Sequence, residues 1–172
     1  MIIRPASPDD FDAIWPALRD VFRAGDTYAV APDISREAAF AYWIGSARAT
    51  YVAEVDGVIL GTYYIKTNQP GGGAHICNCG YVVAPQARGQ GIAAQLCQHS
   101  QDIARGLGYQ AMQFNFVLAS NDGAVRLWQK LGFAIVGTIP KAFAHPQAGM
   151  VDAFVMYKAL VGPLAAFERV TG

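Results

Sequence analysis

Gln86-Ala87-Arg88-Gly89-Gln90-Gly91-Ile92-Ala93 is the stretch whose reading decides the fold. Before it lies an apolar run, about His75 to Val83; after it Ile92, Leu96, Ile103 and Leu107 recur at helical spacing. The stretch is therefore a strand-to-helix turn. Gly89 and Gly91 admit backbone conformations closed to other residues and let a ligand approach the main chain. The first N–H groups of the helix have no partner within it and stand at the positive end of its dipole. Together they form a cradle suited to an anion such as a pyrophosphate, and Arg88 adds a fixed charge with several donors. A Gly-rich turn without a ligand is the plainer reading of Gly-x-Gly alone. A dinucleotide fingerprint is disfavoured, because Ala94 fills the third glycine position and no acidic residue follows about 20 residues on. A P-loop is excluded, since no Gly-Lys-Ser/Thr follows.

Upstream, Ile2-Ile3-Arg4 reads as a first strand. Ser7, Pro8 and Asp10 then open a helix carrying Ile14, Leu18, Val21 and Phe22, which Pro16 is expected to kink. Ser35 caps a second helix through Phe40, Trp43 and Ile44. Thr50 to Val55 and Val58 to Lys66 flank Asp56-Gly57, a strong hairpin signal. Pro70-Gly71-Gly72-Gly73 leads into the fourth strand. Downstream come a strand from Ala111 to Val117 and a short helix starting at Asn121 or Asp122. Strands from Phe133 to Ile139 and from Val151 to Ala159 complete the chain. Strands and helices mix without regular βαβ alternation, which predicts an α/β (α+β) fold. Its twisted mixed sheet has about seven strands, with about four helices on both faces. One domain is expected over residues 1–160, followed by a tail over 161–172.

The 172 residues are 53% apolar, 12% aromatic and 15% charged, enough for one domain with a sizeable core. Thirteen Lys and Arg balance thirteen Asp and Glu, which argues against a nucleic-acid binder and leaves anions to local groups. Cys77, Cys79 and Cys97 cannot build a disulfide framework, and no Cys/His spacing suits zinc, so no metal is expected. Met1-Ile2-Ile3-Arg4 lacks the pattern of a secretion signal, and no apolar run approaches the about 20 residues of a membrane helix. The expectation is a soluble, cytoplasmic protein with neither a nucleic-acid nor a membrane partner.

The surrounding pattern resembles the GNAT family of acyl-CoA-dependent N-acetyltransferases. The shared elements are Val82-Val83-Ala84-Pro85 and the Gln86-x-Arg88-Gly89-x-Gly91-x-Ala93 turn. A second motif is Ser120-Asn121-x-x-Ala124-x-x-Leu127-Trp128-x-x-Leu131-Gly132-Phe133. The resemblance implies a GNAT-like fold with strands four and five splayed and acetyl-CoA as cosubstrate. The CoA pyrophosphate would sit on the turn, at Arg88, Gly89, Gln90, Gly91, Ile92 and Ala93. The pantetheine arm would pair with the fourth strand at Tyr81, Val82 and Val83. His75-Ile76-Cys77-Asn78-x-Gly80, Phe114-Asn115-x-Val117 and Val151-Asp152-Ala153 look like the yeast acetyltransferases of proline analogues such as azetidine-2-carboxylate, and their bacterial relatives. That likeness implies Asn78 for acceptor and acetyl positioning, Asn115 and Asn121 mainly for CoA, and a homodimer.

The implied reaction is attack by a neutral amine on a thioester carbonyl, with a backbone N–H near Val82 or Val83 as oxyanion donor. Many GNAT enzymes carry a carboxylate on the fourth strand; His75 to Val83 has none. An α-amino group, with a pKa of about 8, then needs less help than a lysine at about 10.4. His75 is the side chain on this strand suited to proton transfer, with a strand-end histidine bonded to backbone as the alternative. Trp128 stands where many relatives have a tyrosine acid and is read as core; thiolate is a tolerable leaving group at a pKa of about 8.5. Asn78, an amide inside an apolar strand, needs partners or costs about 1–3 kcal/mol. Tyr28 and Tyr64 are candidate acceptor-pocket residues, with core packing as the competing role, and Tyr42 and Trp43 invite the same choice. The expected function is transfer of acetyl from acetyl-CoA to a small-molecule amine, an amino acid or proline analogue among them. A protein or peptide N-acetyltransferase and a non-catalytic acyl-CoA sensor are the rivals.

Overall fold

In this computed structural model, which describes residues 1–162, Asp56 and Gly57 both take positive φ, 50° and 79°. They turn β2 (Ala49–Val55) tightly back on β3 (Val58–Thr67), as the twist of paired strands requires. β1 (Ile2–Pro5) borders β2, and β3 pairs antiparallel with β4 (Ile76–Val83). β5 (Ala111–Leu118), β6 (Ala134–His145) and β7 (Gly149–Ala159) complete a seven-stranded sheet in the order β1-β2-β3-β4-β5-β7-β6. The tail expected over 161–172 lies, from residue 163 on, outside the described residues.

Helices cover both faces. α1 (Phe11–Ala24) and α2 (Arg36–Phe40) lie on one side, where Phe11, Ile14, Leu18, Phe22 and Trp43 are buried with Val52, Tyr64 and Val82. α3 (Ile92–Gly106) and α4 (Asp122–Lys130) lie on the other, burying Leu96, Cys97 and Trp128 with Tyr63, Cys77, Cys79 and Met112. The alternation along β4 explains the split: Cys77 and Cys79 face α3, while Val82 faces α1. Each large side chain so buried contributes about 1.5–3 kcal/mol.

β4 and β5, the one parallel pair among the described residues, register only at Ile76↔Ala111 and Cys77↔Met112. Beyond Cys77 they diverge, as the splayed strands require. Two features account for the divergence. A register shift against β7 between Phe114 and Val117 bends β5 at that level. The rings of Tyr81, Phe114 and Trp128 fill the widening gap on the α3–α4 side, with centroids 5.1–5.8 Å apart.

Pro16 sits inside α1, which runs unbroken from Phe11 to Ala24. Two local expectations change. The second helix is capped by Ser35, whose Oγ accepts from Ala38 N–H at 3.1 Å, but it opens into a π turn over Ala41–Gly45. Ser46 N–H reaches back to the Ala41 carbonyl at 2.8 Å. The wider turn buries Trp43 and sets Tyr42 against Tyr64, 5.9 Å between centroids. The sixth strand runs to His145 rather than Ile139, through a bulge at Lys141 (φ 49°) whose N–H donates to Asp152 Oδ1 at 2.8 Å.

Candidate active site

Backbone direction along β4 decides what faces the open seam. Ile76 C=O accepts from Asn68 N–H and Ala84 N–H donates to Leu60 C=O, both at 2.9 Å, so these two peptide groups face β3. Alternation then turns the groups of Cys77, Cys79, Tyr81 and Val83 toward β5. Cys77 meets β5; the N–H groups of Cys79, Tyr81 and Val83 open onto the seam. The Tyr81 carbonyl on that edge is taken by the Tyr28 hydroxyl at 2.9 Å. Val82 differs from the other two expected pantetheine contacts. Its side chain is core, 3% exposed, and its peptide group faces β3, which leaves Val83 rather than Val82 with an N–H on the seam.

Asn78 stands at the fork. Its Nδ2 donates to the Gln113 carbonyl at 3.0 Å, replacing a backbone partner where the ladder stops, and its Oδ1 accepts from Tyr64 hydroxyl at 3.3 Å. Asn115 accepts from Gln113 Nε2 at 2.9 Å and donates to Asn68 Oδ1 at 2.7 Å, bridging β5 to the segment after β3. Asn121 caps α4, its Oδ1 accepting from Ala124 N–H at 3.1 Å.

A cleft of about 290 Å³ opens along the seam and brings together Tyr28, Tyr64, Asn78, Tyr81, Asn115 and Asn121. These residues arrive from the α1–α2 loop, β3, β4, β5 and the start of α4. No Asp, Glu or His lines it among the described residues. Burial raises the Tyr28 and Tyr64 hydroxyls well above the ordinary tyrosine range and pushes up the Cys79 thiol, so all three keep their protons. They are donors, not bases. His75 lies at the closed end of the seam, where its carbonyl accepts from Gln110 N–H at 2.8 Å, and does not line the cleft. Trp128 belongs to the core, 8% exposed, and also borders the cleft.

At the far end of β4, a second hollow of about 270 Å³ is lined by Val83, Arg88, Gly89, Gly91, Ile92 and Ala93, among others. Gly89 and Gly91 both have φ +78°, and a Cβ on either would meet nothing within 4 Å. The concavity is open. The first bond of α3 runs from Gln95 N–H to Gly91 C=O at 3.2 Å, which leaves the N–H groups of Ile92, Ala93 and Ala94 without helical partners. The first turn holds no acidic residue, and Arg88 is exposed with no ion pair among the described residues. Gln90 does not line the hollow; its Nε2 donates to the Gln86 carbonyl at 3.2 Å and braces the turn.

The profile of the Acetyltransferase (GNAT) family matches residues 12–133. This chain belongs to the GNAT family. A GCN5-related N-acetyltransferase from Kribbella flavida superposes with a TM-score of 0.87 at 40% identity, over 92% of this chain and 96% of that one. N-acetyltransferase aca1 of Schizosaccharomyces pombe is 39% identical over 98 residues, 56% of this chain and 47% of that protein. The match thus spans about half the length of that curated relative. The Salmonella typhimurium protein yncA, described with its cofactor acetyl-CoA, shares the fold at a TM-score of 0.84 and 21% identity, over 96% of both chains. GNAT enzymes use acetyl-CoA as cosubstrate, and the hollow beside α3 has the donors, the space and the positive charge that a CoA pyrophosphate requires. Among the described residues no group of side chains could hold a metal ion, and no helix is long and apolar enough to cross a membrane.

Sequence reasoning missed three groups that shape the cleft. Gly80 admits the tyrosines: a Cβ there would lie 2.5 Å from Tyr64 Cε1 and 3.0 Å from the Tyr28 hydroxyl oxygen. The Gln113 carbonyl receives Asn78, and Lys66 lines the cleft. Period-2 alternation from Tyr64 was the available signal for Lys66; no local pattern marks Gln113.

Proposed function

We propose that this GNAT protein is an N-acetyltransferase that moves acetyl from acetyl-CoA to the amine of a small molecule, an amino acid or proline analogue among the candidates. The domain over residues 1–160 would carry the activity. The observation behind this reading is the open seam, which joins an anion-binding turn at one end of β4 to an aromatic-lined cleft beside its middle. Acetyl-CoA supplies the acetyl group: the acceptor nitrogen forms the new C–N bond, the C–S bond breaks, CoA leaves as thiolate, and the ammonium proton passes to water. The chain's part is to hold and orient. Arg88 and the α3 amides grip the pyrophosphate, and N–H groups of β4 facing the seam receive the developing oxyanion. Asn78 keeps the fork open. With no carboxylate or imidazole lining the cleft, the acceptor enters as free amine, a minor fraction of it at neutral pH.

A homodimer is part of the same reading. Exposed Val136, Ile139 and Met150 on the β6–β7 hairpin are the apolar surface that it would cover. The function is tested by thiol release from acetyl-CoA over a panel of small amines, amino acids and peptides. Turnover with small amines or amino acids is expected. Turnover with peptides alone would make this a protein-modifying enzyme, and CoA binding without turnover a sensor.

A further inference from the structure

We infer that Lys66 determines acceptor specificity, selecting a molecule that carries a carboxylate beside its amine. The inference rests on the acetyltransferase reading above and adds the chemical class of the acceptor. Lys66 is the β3 residue in register with Asn78, so it stands next to the fork. It shares a strand face with Tyr64, the face that opens to the cleft. Its ammonium lies 5.1 Å from the ring centroid of Tyr64 and 5.6 Å from that of Tyr42. Those rings hold the cation over their faces but take none of its N–H donors. The Lys66 ammonium has no hydrogen bond or ion pair to any described residue.

Charge sharpens the argument. Lys66 is the one charged residue lining the cleft among the described residues. A half-buried ammonium beside two aromatic rings is short of a counter-ion, and a ligand carboxylate supplies it through charge-assisted hydrogen bonds. The neighbouring amides are neutral and partly engaged: Asn115 donates one N–H to Asn68, and Asn78 donates one to Gln113 while accepting from Tyr64. Lys66 alone brings charge to an anion. A diamine has the wrong charge for this wall. A peptide amino terminus lacks the α-carboxylate. An α-amino acid has both groups on one carbon, as a site with Lys66 and Asn78 side by side on adjacent strands would need.

The test compares each of several α-amino acids, azetidine-2-carboxylate included, with its own carboxamide; because the carboxamide's amine is the weaker base, kcat/KM is expressed per free amine at each compound's own titration point. In wild type, kcat/KM should favour the carboxylate by about 10- to 100-fold. K66Q should collapse that ratio toward one, and K66R, which keeps the charge, should retain most of it. A ratio near one in wild type, a ratio that survives K66Q, or neither turnover nor calorimetric binding of any carboxylate overturns the inference. Thiol release with the carboxamides and no carboxylate preference would overturn it while leaving the acetyltransferase reading standing. Absence of thiol release with every acceptor would sink that reading itself.

Discussion

The turn before α3 and the cleft at the fork lie along one seam and are built in opposite ways. Residues 86–94 are contiguous, and what they offer a ligand is mostly main chain: free helix amides and two glycines at φ +78° around open space. The cleft is side chain, gathered from the α1–α2 loop, the π turn, β3, β4, β5 and α4. A main-chain site reads the part of a cosubstrate that never varies, a diphosphate. A side-chain site can be retuned for each acceptor without disturbing the turn. Substitutions should therefore separate the two: abrupt loss of CoA binding at the turn, graded loss of acceptor use at the cleft.

The largest effect is expected where a side chain fills the turn. Gly91→Glu forces a side chain onto a left-handed backbone and sets a carboxylate against the phosphates. CoA affinity measured by calorimetry should fall by more than about 100-fold, while a preserved far-UV spectrum reports an intact fold. Equal affinity in wild type and variant would remove the turn from the site.

Next comes Gly80→Ala, on the cleft side. The added Cβ, 2.5 Å from Tyr64 Cε1 and 2.9 Å from Cζ, must displace a ring wedged against Trp43 and Tyr42. A shift of this size in a positioned group costs about 10- to 100-fold in kcat/KM for the acceptor. CoA affinity should stay within about twofold of wild type. Parallel loss of both would mean that the two regions are not separable.

Asn78→Asp probes the fork between them. An ionised carboxylate cannot donate, so it would face the Gln113 carbonyl as one acceptor against another. Loss of the bond at a buried site predicts destabilisation of about 1–3 kcal/mol in denaturant unfolding at pH 7. Part of it should return below pH 5, where the carboxyl is protonated and donates again. A pH-independent loss would mean that Asn78 fills space rather than donating to Gln113.

The same contrast explains what could be read before folding. The turn was legible because all its parts lie within one short stretch, as was the hairpin at Asp56-Gly57, which is two residues long. The splayed strands came from family resemblance, not from any local signal. The cleft was half legible: Tyr28, Tyr64 and Asn78 do meet there, but their partners are remote, with Asn78 bonded 35 residues on and Tyr28 53 residues on. Lys66 looked like the end of a strand, because its meaning depends on rings from β3 and the π turn. Val82 and Val83 are indistinguishable by residue type, and only register decides which faces the seam. The extension of β6 past Pro140 was hidden because the contact that carries it, Lys141 to Asp152, joins residues from opposite arms of the hairpin.

The smallest effect serves as the control that touches neither region. Arg4 grips Asp10 through both guanidinium ends at 2.8 Å, and Ser7 N–H donates to the same carboxylate at 2.7 Å. The Arg4 bond, above all, holds the Asp10 carboxyl well below the usual carboxylate range. Folded-state pKa below unfolded means that the pair's contribution is present above the unfolded value, about 3.9, and lost as pH falls toward the folded one. The pair is partly exposed, so solvent and salt screen it. Asp10→Asn should therefore lower Tm by about 2 °C at pH 7 and by progressively less as the pH drops below 4. Its CoA affinity and its carboxylate-to-carboxamide ratio should match wild type, because Asp10 caps the entry to α1 and lines neither hollow. A change in either ratio or affinity would mean that stability, not site geometry, governs the larger effects at Gly91 and Gly80.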